Sequence, residues 1–209
     1  MNKPVEAQAA TLTGAEAVVE MLRAHGVEVI FGLCGDTSLP LYDALARLPH
    51  GMRHVLTRDE RHAAYMADGY ARVTGKVGVC EGPSGGGATY LLPGLVEGNE
   101  SSVPVLGINT DVSVSSRGRF TLTELDQRAL MKPLTKWNAV LDRAADIPRV
   151  FRAAFNAMTT GRPGAGWRQR SVVTEPARQP TNTTRSAWST TARVSGVPPL
   201  EPTTPTASG

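Results

Sequence analysis

Short β-branched and apolar runs alternate with helical stretches along most of this chain, and that alternation leaves few folds open to it. The runs lie at 27–31, 54–57, 76–81, 103–109 and Trp137–Leu141. Between them the apolar residues recur at helical spacing, at 15, 18, 19 and 22 ahead of Gly26, and at 63, 66, 67, 70 and 71 within 59–73. Thr13 and Glu16 have the spacing of a capping box, Pro40 suits the first turn of a helix over 39–48, and another helix starts near Gly87. The cleanest apolar stripe runs through Ile147, Val150, Phe151, Ala154, Phe155 and Met158, and Gly161 ends it. Strands alternating with helices of this length predict an α/β fold: an open, mostly parallel sheet with helices on both faces.

The pattern stops at Gly166. From there to Gly209 the chain is rich in Pro, Thr, Ser and Arg, and neither period persists, so 166–209 is expected to be a disordered tail. Residues 1–10 read as a flexible N-terminus, and 11–165 as the folded domain. The net charge of +3 comes from the tail, where Arg168, Arg170, Arg178, Arg185 and Arg193 face only Glu175 and Glu201. Charge spread so thinly is not the clustered basic face that nucleic acid requires. With 41% hydrophobic residues in 209, the chain can bury one good core. Cys34 and Cys80 lack metal-ligand spacing and read as reduced, partly buried thiols. Residues 1–10 show no secretory signal, and the longest apolar stretches fall far short of the ~20 residues that span a bilayer. A cytoplasmic protein without nucleic-acid or membrane partners is the expectation.

Two neighbouring segments carry the chemistry. One is Thr57-Arg-Asp-Glu60-Arg-His-Ala-Ala64, and the other is Gly82-Pro-Ser-Gly-Gly-Gly-Ala-Thr89. Taken alone, Glu60 is an ordinary first-turn carboxylate offsetting a helix dipole, and Asp59 is the better capping residue. His54 and His62 read as strand or surface residues. The glycine run lacks the Lys-Ser/Thr of a phosphate-binding P-loop, and it does not have the G-x-G-x-x-G spacing of a dinucleotide turn. As an isolated run it reads more readily as a strand-to-helix turn than as a site.

Together with Phe31-Gly-Leu-Cys-Gly35-Asp-Thr-Ser38, these segments resemble the pyrimidine-binding N-terminal domain of thiamine-diphosphate enzymes of the acetolactate synthase-like kind. The resemblance runs over about residues 11–165. It implies that Glu60 is the catalytic glutamate that hydrogen-bonds the cofactor's aminopyrimidine ring, tuned by a largely dry cleft. It also implies cofactor contacts from Gly35, Ser84, Gly85, Gly86, Gly87 and Thr89. In such enzymes Mg²⁺ and the diphosphate are held by a different domain through a Gly-Asp-Gly…Asn motif. That motif is absent here, where Gly35-Asp36 is followed by Thr37. Other positions depart from the family. Gly86 stands for a proline, Tyr90 for an asparagine, Leu33-Cys34-Gly35-Asp36 for Tyr-Pro-Gly-Gly, and Thr123 for the glutamine of Phe-Gln-Glu-x-Asp.

The resemblance thus implies the thiamine-diphosphate half-site of a 2-oxoacid decarboxylase or carboligase. It would be completed by a homo-oligomer or by a separate chain bearing the diphosphate domain, and the chain alone is expected to be inactive. The alternatives are the α chain of a two-chain decarboxylase, or a non-catalytic dimerisation protein. Because the match stops inside an element, at Gly161-Arg-Pro-Gly164, a frame change or truncation is favoured over a genuine tail, and the sheet is expected to lack its last strand. Val172-Val173-Thr174 is the short run that could stand in for it.

Overall fold

The computed structural model describes residues 11–160, 170–174 and 192–193. Thr11–Leu12 (β1) leads into the helix Gly14–Ala24 (α1), which opens on the expected capping box. The Glu16 backbone N–H donates to Thr13 Oγ1 at 3.2 Å, and the Thr13 N–H donates to Glu16 Oε2 at 2.8 Å. Val29–Gly32 (β2), Leu39–Arg47 (α2), Arg53–Leu56 (β3), Glu60–Thr74 (α3), Gly78–Gly82 (β4), Gly86–Glu100 (α4) and Val105–Thr110 (β5) follow. Gln127–Met131 (α5), Trp137–Leu141 (β6), Ile147–Thr159 (α6), Arg170–Thr174 (β7) and Ala192–Arg193 (β8) complete the order. Each expected strand and helix is present, with ends displaced by a residue or two.

The main sheet has six parallel strands in the order β3-β2-β4-β5-β7-β6. One apolar cluster joins α1, α2 and α6 to one face through Val18, Leu22, Leu41, Ile30, Leu106 and Phe151. A second joins α3 and α4 to the other face through Ala63, Ala67, Leu91, Leu95 and Cys80. Burying each large side chain contributes about 1.5–3 kcal/mol, so the two layers hold the sheet between them.

The last strand corrects one expectation. β7 lies between β5 and β6, pairing Leu106 with Arg170 and Trp137 with Arg170 at its start, so the sheet is not short of a strand. Without it, β5 and β6 would each expose a row of unpaired N–H and C=O groups in the interior of the order. The short run at 172–174 is enough to close that gap. β8 adds a small antiparallel pair with β1. The rest of the expected tail, and residues 1–10, lie outside the described residues.

A second difference concerns α3. Its buried face is Ala63, Ala64, Ala67, Asp68 and Ala71, while Met66 is exposed and Tyr70 only half-buried. Close approach, more than side-chain bulk, orients this helix. A Cβ on Gly94 of α4 would come within 2.6 Å of the Ala64 methyl, and one on Gly78 would collide with the Ala67 carbonyl. The alanine face therefore turns inward, because only small residues allow α3, α4 and β4 to sit this close.

Candidate active site

Strand order places a crevice before any side chain is considered. β2 leads by way of α2 to β3 at one edge, and the chain then crosses back to β4 on the other side of β2. The helix after β2 packs on one face and the helix after β4 on the opposite face. Ligands of open α/β sheets bind where connections diverge in this way, outside the carboxyl ends of the strands. Glu60, Gly35 and the glycine run all lie at that end.

Glu60 is held there by the turn between β3 and α3. The Thr57 N–H donates to Gly32 O at 2.9 Å, and its buried hydroxyl faces Gly32 O at 3.3 Å and Asp59 O at 3.0 Å. Asp59 caps α3 by accepting the Arg61 N–H at 2.8 Å, as its position in the sequence suggested. Its pairing with the Arg61 side chain holds the Asp59 carboxyl well below the usual range. Glu60 itself is 8% exposed at the first helical position, where the dipole of α3 favours negative charge. Its carboxyl accepts no hydrogen bond from any described residue.

The glycine run forms a wall against that carboxyl. A Cβ on Gly87 would lie 3.0 Å from Glu60 Oε1 and 2.6 Å from the Pro83 ring, and one on Gly82 would lie 3.3 Å from Glu60 Cγ. Gly35 faces the same proline from across the crevice, and the Ser84 N–H donates to Thr37 Oγ1 at 3.0 Å. Gly85, at φ +66°, abuts Thr123, whose hydroxyl lies 2.6 Å from that of Ser84. Glu60, Gly35, Ser84, Gly85 and Gly87 are thus gathered in one place. Gly86, between the last two, is exposed, and the Thr89 hydroxyl donates back to Gly86 O at 2.7 Å. Exposed Tyr90 lies under the Arg61 guanidinium, 5.4 Å from its ring centre. Cys34 is exposed and Cys80 buried, both as free thiols.

Two residues of this crevice escaped the sequence reading. Glu81, the penultimate residue of β4, is 1% exposed, and Tyr42 of α2 donates a hydrogen bond to its Oε2 at 2.7 Å. Burial pushes the Glu81 carboxyl up to about 8, against the lowering effect of the Tyr42 and Ser38 hydroxyls, with nearby Glu60 adding to the rise. The Tyr42 phenol is driven upward by burial and by the same carboxyl. Its ring meets His54 edge-on at 4.8 Å, and burial holds that imidazole below its ordinary value. The one available signal was a glutamate inside an otherwise apolar strand, Gly78-Val-Cys-Glu-Gly82.

Among the described residues no group of three or more His, Cys, Asp or Glu is placed to hold a metal ion, and no helix is long and apolar enough to cross a membrane.

Comparison with known proteins bears on the same residues. The family described as thiamine pyrophosphate enzyme, N-terminal TPP binding domain, matches residues 12–130. A probable acetolactate synthase large subunit of Methanocaldococcus jannaschii is 43% identical over 153 residues, which is 73% of this chain and 26% of that protein. The acetolactate synthase of Mycobacterium leprae is 45% identical over 154 residues, 74% of this chain and 24% of the relative. That of Arthrospira platensis is 43% identical over 155 residues, 73% and 27% respectively. The chain thus spans about a quarter of the length of these relatives. A carboxyl at the head of α3, a glycine wall at the switch point of the sheet and a match over 12–130 converge: this chain belongs to the thiamine pyrophosphate enzymes, as their N-terminal TPP-binding domain.

Proposed function

We propose that the chain is the pyrimidine half of a thiamine-diphosphate site in an acetolactate synthase-like 2-oxoacid decarboxylase or carboligase. The observation that carries this reading is the Glu60 carboxyl, buried at a helix N-terminus against Gly82 and Gly87 and without a hydrogen bond from any described residue. Bound thiamine diphosphate would supply a thiazolium carbon able to stabilise negative charge on a 2-oxoacid carbon. The protein's share is binding and proton control. Glu60 would hold a proton at a ring nitrogen, while Gly82 and Gly87 let the backbone pack directly against the Glu60 side chain. Gly35, Ser84 and Gly85 would line the approach, and Thr123 stands beside them where substrate specificity is set.

The diphosphate and Mg²⁺ would be held by a diphosphate-binding domain that lies outside these 209 residues. Two observations support this: the sequence lacks Gly-Asp-Gly, and the chain spans about a quarter of its relatives' length. On this reading the chain alone is inactive, acts as an oligomer or with a partner, and works in the cytoplasm.

The test pairs the full chain with a separately produced diphosphate domain and follows exchange of the cofactor's C2 proton for deuterium by NMR. Glu60→Gln should slow exchange by about 10²–10⁴-fold, the usual loss when a positioned acid–base group is removed. Exchange at the wild-type rate in that variant would overturn the assignment.

A further inference from the structure

Glu81 sits inside the sheet, with β2 on one side of its strand and β5 on the other. Alternate positions of a strand share a face, so Glu81 lies with Val79 toward α1, α2 and α6, while Cys80 and Gly82 turn to α3 and α4. Only one of its oxygens is satisfied: Oε2 accepts from Tyr42, and buried Oε1 has no hydrogen-bond partner among the described residues. Gly32 makes the arrangement possible, since a Cβ there would lie 2.6 Å from Oε2 and 2.9 Å from Tyr42 Oη. An ionised carboxylate with a half-satisfied shell in such a place is costly, whereas the neutral acid is tolerated.

Among the described residues, the groups that act on it include no cation. Tyr42 faces it from α2, Ser38 from the turn before α2, and Cys34 from the loop after β2, with Asp36 acting on that thiol. Glu60 approaches from the head of α3, and His54 from β3 stands behind Tyr42. Glu60 adds to the penalty on an ionised Glu81.

We propose that Glu81 is a positioning residue of the cofactor site: it holds a proton at neutral pH, so that no buried negative charge of its own stands behind the crevice. No bond is made or broken at Glu81; its part is to keep a further negative charge out of the site. The functional consequence rests on the reading of Glu60 given above, but the proton itself does not.

The experiment titrates the full chain without cofactor, with ¹³C-labelled glutamate carboxyls followed by NMR in wild type, Glu81→Gln, Glu60→Gln and Tyr42→Phe. One carboxyl should titrate above neutrality and vanish from the Glu81→Gln spectrum. Its midpoint should fall by about half a unit or more in Glu60→Gln, which removes the neighbouring charge, and rise in Tyr42→Phe, which removes the hydrogen bond to the ionised form. A Glu81 that titrates like a surface carboxylate, or that ignores Glu60→Gln, overturns the proposal. A second arm adds the diphosphate domain and thiamine diphosphate and measures cofactor affinity against pH. Wild type should weaken above pH ~8 as the Glu81 charge appears, and Glu81→Gln should not. Parallel profiles would refute the role in positioning even if the cofactor-free titration holds. Absence of cofactor binding at every pH, with that titration intact, would refute the proposed function instead.

Discussion

Gly35 lies against Pro83 so closely that a Cβ on it would stand 2.6 Å from the proline's Cβ and 2.7 Å from its Cγ. The contact joins the loop after β2 to the loop after β4, across the crevice that the strand order opens. Gly35 itself has ordinary extended geometry, with φ −132° and ψ 175°, so space and not backbone conformation demands a glycine here. Gly35→Ala should therefore act by steric wedging. Overpacking of this kind typically costs about 1–3 kcal/mol, and the ring of Pro83 cannot swing aside as a flexible side chain would. Thermal denaturation should show a lowered Tm, and thiamine-diphosphate affinity in the complex with a diphosphate domain should fall as well. A Tm equal to wild type would show that the loops part freely.

Stability should depend on pH through Glu81. Its folded-state value, about 8, lies above the ordinary carboxyl value of 4.5, so the folded protein binds more protons than the unfolded chain between those limits. The stability this group allows is complete below about pH 4.5 and is lost as pH rises toward 8, where it levels off. The loss amounts to a few kcal/mol, from ~1.4 kcal/mol for each unit of displacement. Urea denaturation at a series of pH values should show this decline in wild type and a flatter profile in Glu81→Gln. Equal slopes in the two proteins would contradict the burial of a protonated carboxyl.

Thr13→Ala removes one side of the capping box at the head of α1. The variant should lose about 1 kcal/mol, and Glu16 should lose a constraint on its side chain at the same time. Chemical denaturation reads the change directly. Because α1 packs on the face opposite Glu60, cofactor affinity in the assembled complex should stay as it was.

The chain by itself should bind thiamine diphosphate only weakly, with Kd in the millimolar range, on the order of −4 kcal/mol. Most of the cofactor's charge resides on its diphosphate, and the crevice presents carboxyls, hydroxyls and glycines rather than a cationic or metal-bearing site. Calorimetry with and without Mg²⁺ measures this. Micromolar affinity without a partner would mean that this chain or its dimer supplies its own anion site.

Much of the architecture follows from local periodicity. Each strand from β2 to β6 is a short apolar run, each long helix carries an apolar stripe, and Thr13, Pro40, Asp59 and Gly75 mark helix ends by chemistry that acts within a few residues. By spacing alone Glu60 reads as a first-turn carboxylate and the glycine run as a turn; the resemblance to the thiamine-diphosphate family is what singles them out. What no local pattern carried was distance across the sheet. α3 presents its alanines instead of Met66 because Gly94 and Gly78 admit closer packing than side-chain bulk would suggest, and that is known only once α3, α4 and β4 meet. β7 was hard to foresee because a strand between two others is defined by the neighbours' open hydrogen-bonding edges, more than by its own short run. Glu81 shows the same limit most clearly. In sequence it is a charged residue in an apolar strand; in the fold, Tyr42, Gly32 and Glu60, which come from three other elements, decide that it is buried, half-satisfied and proton-bearing. Sequence by itself settles which segments form strands and helices and that the Glu60 carboxyl opens one of them, because those are matters of spacing along the chain. Tertiary structure alone decides the solvation and company of that carboxyl, because desolvation and charge act through space.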